Sequence, residues 1–133
     1  MIDIENEVFN AVATSVRASY PGIFVSGEKV AAPETYPFVS IVEADNYTYT
    51  KGEDSSLGEN FANVMYEVQV ITKKTSGKKA DCKAIFSLID GDLYAMGFNR
   101  TMKKPIPMDD AKTYQLIGRY TAVISADKTI FRR

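Results

Sequence analysis

An α+β fold is predicted by three observations: two stretches with helical spacing of apolar residues, two stretches in which apolar and mostly polar residues alternate, and the order helix, strands, helix, strands. This order predicts two helices packed on one face of a mainly antiparallel four-stranded sheet, in a single domain spanning residues 1–133.

The first helix is expected over residues 3–19, where Ile4, Val8, Ala11, Val12 and Val16 share a stripe. Asp3 fits the N-cap, Glu5 and Glu7 suit the positive end of the helix dipole, and Pro21-Gly22 ends the helix. Ile23-Phe24-Val25 is a short extended piece, followed by a loop bracketed by Pro33 and Pro37. Phe38 to Tyr49 is rich in Val, Ile, Tyr and Thr and predicts a strand. Residues 50–60 hold almost nothing that can be buried and predict a mobile hairpin loop. Ala62, Val64, Tyr66, Val68 and Val70 then alternate with Asn63, Glu67 and Gln69, which predicts a strand with one wet face.

Thr75-Ser76-Gly77 turns the chain into a second helix, residues 78–96, with Cys82, Ile85, Phe86, Ile89, Leu93 and Met96 in one stripe. Gly97 suits its C-terminal exit, with Phe98 as the hydrophobic partner. A third strand is expected from Phe98 to Met102, and a rigid polar connection through Pro105-Ile106-Pro107 and Asp109-Asp110. Tyr114, Leu116, Gly118, Tyr120, Ala122 and Ile124 alternate with polar residues as the fourth strand. Residues 129–133 form a short basic tail, too short to be an element alone.

At 133 residues the chain buries roughly two-thirds of its unfolded surface, enough for a core without staples. No run reaches the ~18 apolar residues of a membrane span, and the acidic N-terminus lacks the layout of a secretory signal, so a cytoplasmic protein is expected. Net charge is −1, but its distribution is uneven. Residues 1–60 carry −7, residues 61–97 carry +1 and residues 98–133 carry +5. Unlike patches of this kind suit a subunit that binds copies of itself head to tail.

The chemistry of catalysis is hard to build from these residues. There is no histidine, which removes the commonest general base and metal ligand. One cysteine cannot supply a structural zinc site, and Cys82, on the apolar stripe, reads as a core residue. No glycine pattern resembles a phosphate-binding loop. Asp90 and Asp92 diverge by about 200° on a helix, and with Asp109-Asp110 they read as solvated surface. No enzyme, cofactor or metal is expected. Lys73, Lys74, Lys78, Lys79 and Lys83 form a basic cluster that fits either a soluble turn or contact with phosphates. Tyr47 and Tyr49, at the root of the long loop, are candidates to anchor a partner.

Tyr66-Glu67-Val68-Gln69-Val70, followed by Ser76-Gly77-Lys78-Lys79-Ala80-Asp81-Cys82-Lys83-Ala84-Ile85, resembles the central strand and second helix of siphophage-type tail-terminator proteins from prophages of Firmicutes. Met96-Gly97-Phe98-Asn99-Arg100-Thr101 resembles the matching helix exit and third strand. Tyr120-Thr121-Ala122-Val123-Ile124 and Asp127-Lys128-Thr129-Ile130-Phe131-Arg132-Arg133 resemble the closing strand and basic end. The likeness covers about half the chain well and the first 60 residues in layout. It implies a homohexameric ring that caps the tail tube, stops its polymerisation and joins the head connector, with double-stranded DNA only as passing cargo. Host cytoplasm during assembly and the virion tail are the implied locations. It supplies no catalytic residues. The candidate assembly interface is Tyr47, Tyr49, Glu53, Asp54, Phe131, Arg132 and Arg133. The alternatives are a head-completion or tail-tube virion protein and a small nucleic-acid-binding module acting through the lysine cluster.

Overall fold

The computed structural model describes residues 1–28, 30, 33–48 and 61–131. The elements are α1 (Glu5–Ser19), β1 (Phe24–Ser26), β2 (Phe38–Thr48), β3 (Phe61–Lys73), α2 (Lys78–Met96), β4 (Asn99–Ile106), β5 (Thr113–Ser125) and β6 (Ile130–Phe131). The architecture is α+β. The sheet has six strands rather than the four expected, in the order β1-β2-β3-β5-β4, with β6 pairing β5 as well. The two added strands are the short extended piece after the first helix and the C-terminal tail. At three and two residues, neither is long enough to show a period of two. All contacts are antiparallel except that of β1 with β2. The expected mobile loop at 50–60 lies outside the described residues.

The centre is the β3–β5 ladder, which pairs Phe61 with Ser125 and runs in unbroken register to Lys73 with Thr113. Its core face alternates as the sequence requires. Ala62, Val64, Tyr66, Val68 and Val70 from β3, with Leu116, Tyr120, Ala122 and Ile124 from β5, are all buried. Val39 and Ile41 of β2 join the same cluster, as do residues of both helices. The second face is wet only in part: Tyr47, Arg119 and Phe131 are exposed there, while Phe38, Ser40, Asn63, Glu67, Ile71, Ile117 and Thr121 are buried between in-register neighbours. Phe38 meets Phe24 edge to face at 5.0 Å, and Glu67 accepts a hydrogen bond from Arg119 Nε at 3.1 Å.

Helix α1 buries Val8, Val12, Ala13 and Val16 on the same cluster. Ala11, expected in that stripe, is exposed, and Ala13 takes its place beside the partly buried Phe9. Asp3 is not the N-cap; Ile4 holds that position without a side-chain bond. Asp3 Oδ1 instead accepts from Glu5 N at 2.9 Å, and so satisfies one of the orphan amides from one residue further out.

Helix α2 has the expected bounds and buries Cys82, Ile85, Phe86, Ile89 and Leu93. Its exit is a Schellman turn. Phe98 N donates to Leu93 O and Gly97 N to Tyr94 O, both at 3.0 Å, with Gly97 at φ 112°. A side chain at 97 would be strained by that φ, and its Cβ would meet Ile130 Cγ2 at 2.9 Å. Strand β4 begins directly afterwards and runs to Ile106, beyond the expected Met102. Pro105 is accommodated because β4 is an edge strand, where a missing amide costs little.

Candidate functional site

The described interface candidates fall in one row. Tyr47 pairs with Asn63, Asn63 with Val123, and Val123 with Phe131. Residues in register share a face, so Tyr47 and Phe131 point the same way across one end of the sheet, about 14 Å apart at the usual strand spacing. Both are exposed, at 48% and 46%. Phe131 stacks edge to face on Phe61, with ring centroids 6.1 Å apart. Tyr49, Glu53, Asp54, Arg132 and Arg133 lie outside the described residues.

Charge is sorted between the two sides of the sheet. Next to α1, Asn46 Nδ2 donates to Ile2 O at 2.8 Å and to Glu43 Oε1 at 2.9 Å, which ties the N-terminal segment to β2. Burial raises the Glu43 carboxyl above its ordinary value against the pull of Asn46, and the negative charges of Asp3 and Glu5 raise it further. Asp45 is exposed on the same strand. On the far side, β4 presents Arg100, Lys103 and Lys104, all exposed. Lys103 Nζ sits 5.4 Å from the centre of the Phe86 ring, so its stem covers an apolar side chain while its charge stays at the surface.

A hollow of about 800 Å³ opens between the end of α2 and the start of β4, lined among others by Asp90, Tyr94, Arg100, Thr101, Tyr120 and Thr121. Asp90, expected at the solvated surface, is held by two partners. In the fold its Oδ1 accepts from the Tyr120 hydroxyl at 2.8 Å and from Arg100 Nη1 at 3.1 Å. Burial, then the bond to Asp90, pushes the Tyr120 phenol well above its ordinary value, so it keeps its proton and acts as a fixed donor. The trio is a structural lock between helix and sheet. The signal that would have found it is the pairing of Arg100 with Tyr120 across β4 and β5, which needs the strand register.

The lysine cluster is partly spoken for. Lys73 lies 3.6 Å from Asp110 and over the Tyr36 ring, and Lys74 pairs with Asp81. Asp110, expected at the solvated surface, accepts from Lys112 N at 2.9 Å and shapes the turn before β5. Lys78, Lys79 and Lys83 border a shallow hollow of about 430 Å³ at the start of α2.

Cys82 is fully buried, and its thiol donates to Val70 O at 3.3 Å. Burial pushes that thiol up to about 11. Thiolate is the reactive form, so Cys82 is expected to resist alkylation in the native protein at pH 7.5 and to react fully in denaturant. Rapid native labelling followed by mass spectrometry would show that the helix stripe opens. Among the described residues no group of three or more His, Cys, Asp or Glu is placed to hold a metal ion, and no helix is long and apolar enough to cross a membrane. No protein-family model and no curated protein matches the chain.

Proposed function

We propose that this protein is a structural subunit that closes into a ring, as a tail terminator of a tailed bacteriophage. The ring, a hexamer by the resemblance above, caps the tail tube, ends its growth and offers the head connector a joining surface. Double-stranded DNA passes through it unread. Assembly takes place in the host cytoplasm and the product belongs to the virion tail. The observation that carries this reading is the sorting of charge: acids beside α1 and β2, bases along β4, with the width of the sheet between them. A patch of each sign on opposite sides of one subunit favours a heterologous contact, which closes into a ring when the rotation between neighbours permits. Among the described residues both helices lie over the core face, and β2 beyond Ser40 and β4 each have a strand on one side alone. Tyr47 and Phe131, at one end of the sheet, supply apolar anchors for the tube or the connector.

Negative-stain imaging of the purified protein, alone and with tail tubes, tests the proposal. Rings alone, and tubes whose ends are capped and cease to lengthen, are the expected results. A protein that stays a single subunit and leaves tube growth unchanged overturns it. Salt-sensitive binding of duplex DNA by that single subunit would favour the nucleic-acid reading instead.

A further inference from the structure

We infer that the two outer edges of the described sheet, β2 beyond Ser40 and β4, are the two halves of the contact between neighbouring copies of this chain; the inference rests on the ring reading above and names its interface.

The topology comes first. β1 pairs only Phe38, Val39 and Ser40 of β2. Among the described residues, Ile41 to Thr48 therefore have a strand on the β3 side alone, and β4 has one on the β5 side alone. Between these edges the strands β2, β3, β5 and β4 alternate in direction. Four alternating strands make an even number. A copy rotated about an axis along the strands thus brings its β2 antiparallel to the first copy's β4, and the alternation continues from subunit to subunit.

The charges then match face by face. Glu43 pairs with Tyr66 and so projects on the core face of the sheet, while Asp45 pairs with Met65 and projects on the second face. On β4, Lys103 pairs with Gly118, under Phe86 on the core face, and Lys104 pairs with Ile117 on the second face. The β2 edge carries one acid on each face; β4 carries Lys103, with the Asp90-bonded Arg100, on the core face and Lys104 on the second face. Pairing of like edges would set Glu43 and Asp45 against themselves, or Lys103 and Lys104 against themselves, and like charges directly opposite are destabilising. Only the unlike pairing remains, and that pairing is heterologous.

Both edges also carry devices that block a full backbone ladder. β2 bulges at Ala44, with Asn46 N held by Asp45 Oδ1 at 2.9 Å, and β4 bulges at Thr101 and lacks an amide at Pro105. Such features protect an edge against indiscriminate strand addition. The contact is accordingly made by side chains between adjacent edges, with recognition residing in the charges. An arriving lysine would also relieve the crowding of Asp3, Glu5 and Glu43.

A charge exchange tests this. One variant carries Glu43→Lys with Asp45→Lys, so both its edges are basic; a second carries Lys103→Glu with Lys104→Glu, so both are acidic. Analytical ultracentrifugation in 0.15 M salt should show rings for the unaltered protein, single subunits for each variant, and rings again for their equimolar mixture, in which unlike edges alternate. Rings formed by each variant alone would overturn the edge contact and leave the ring reading standing, as would folded variants that assemble neither alone nor mixed. An unaltered protein that never leaves the single-subunit state overturns the ring reading, and this inference with it. Circular dichroism checks the fold; if either double variant misfolds, Asp45→Lys and Lys104→Glu, single changes at exposed positions, carry the same test.

Discussion

Replacing Phe86 by alanine is expected to lower the unfolding free energy by about 3–5 kcal/mol, the range for deleting a buried aromatic side chain. Phe86 is 1% exposed and lies over β5, with its ring against Gly118 and 6.4 Å from that of Tyr120. Gly118 is the reason the ring fits. A Cβ there would stand 2.5 Å from Phe86 Cζ, closer than carbon atoms sit, and a tight 3.3 Å from Met102 O. Gly118→Ala should therefore cost about 1–3 kcal/mol by overpacking, although alanine is otherwise at least as good as glycine in a strand. The two effects share one space. In the double variant the new methyl group enters the volume the ring has left, so the combined loss should fall short of the sum by at least ~0.5 kcal/mol. Urea denaturation of the four proteins measures this coupling. Strict additivity would show that something other than the ring dictates the glycine.

The second expectation concerns the polar residues between β3 and β5. Glu67 is 4% exposed, and Arg119, directly opposite in the ladder, donates Nε to Oε2 at 3.1 Å. A hydrogen bond between charged groups contributes about 1.5–3 kcal/mol. With the Arg119 side chain 46% exposed, the lower end applies to Arg119→Leu. Adding Glu67→Leu should recover most of that loss, because an apolar pair of similar volume often replaces a buried ion pair without penalty. Thermal or chemical melts decide it. A double variant weaker than Arg119→Leu would mean that the carboxylate supports the fold through other partners.

These two sites mark where sequence reasoning reaches its limit. The bounds of α2 were legible because Gly77 and Gly97 punctuate an uninterrupted stripe, and a glycine at positive φ is chemically distinctive. The alternation of β3 and β5 was legible for the same local reason: the signal lies within the strand. Glu67 and Asn63 were misread as solvent-facing because their burial comes from neighbours on two other strands, β2 and β5, which the sequence pattern of β3 does not show. Asp90 was misread likewise, since its partners Arg100 and Tyr120 sit on two other elements. Asp110 is different. Its role in the turn is local, but an Asp-Asp pair looks alike whether it caps a turn or only solvates one. Of the interface candidates, Tyr47 and Phe131 were legible as apolar residues in awkward places, whereas their common row needed the register of four strands.

The β3–β5 ladder also has a consequence for how the protein is made. The strand that completes the middle of the sheet follows β3 only after α2 and β4 have been synthesised. At about 5–20 residues per second, the ribosome needs roughly 3–10 s to travel from the end of β3 to the end of β5. Throughout that interval Val64, Val68 and Val70 have no β5 beside them, and a hairpin of β2 with β3 is only marginally stable alone. The nascent chain thus presents an unpaired, valine-rich strand for seconds, while helices form in about a microsecond or less. Early docking of α2 on that strand, before Thr113 leaves the exit tunnel, would shorten its exposure.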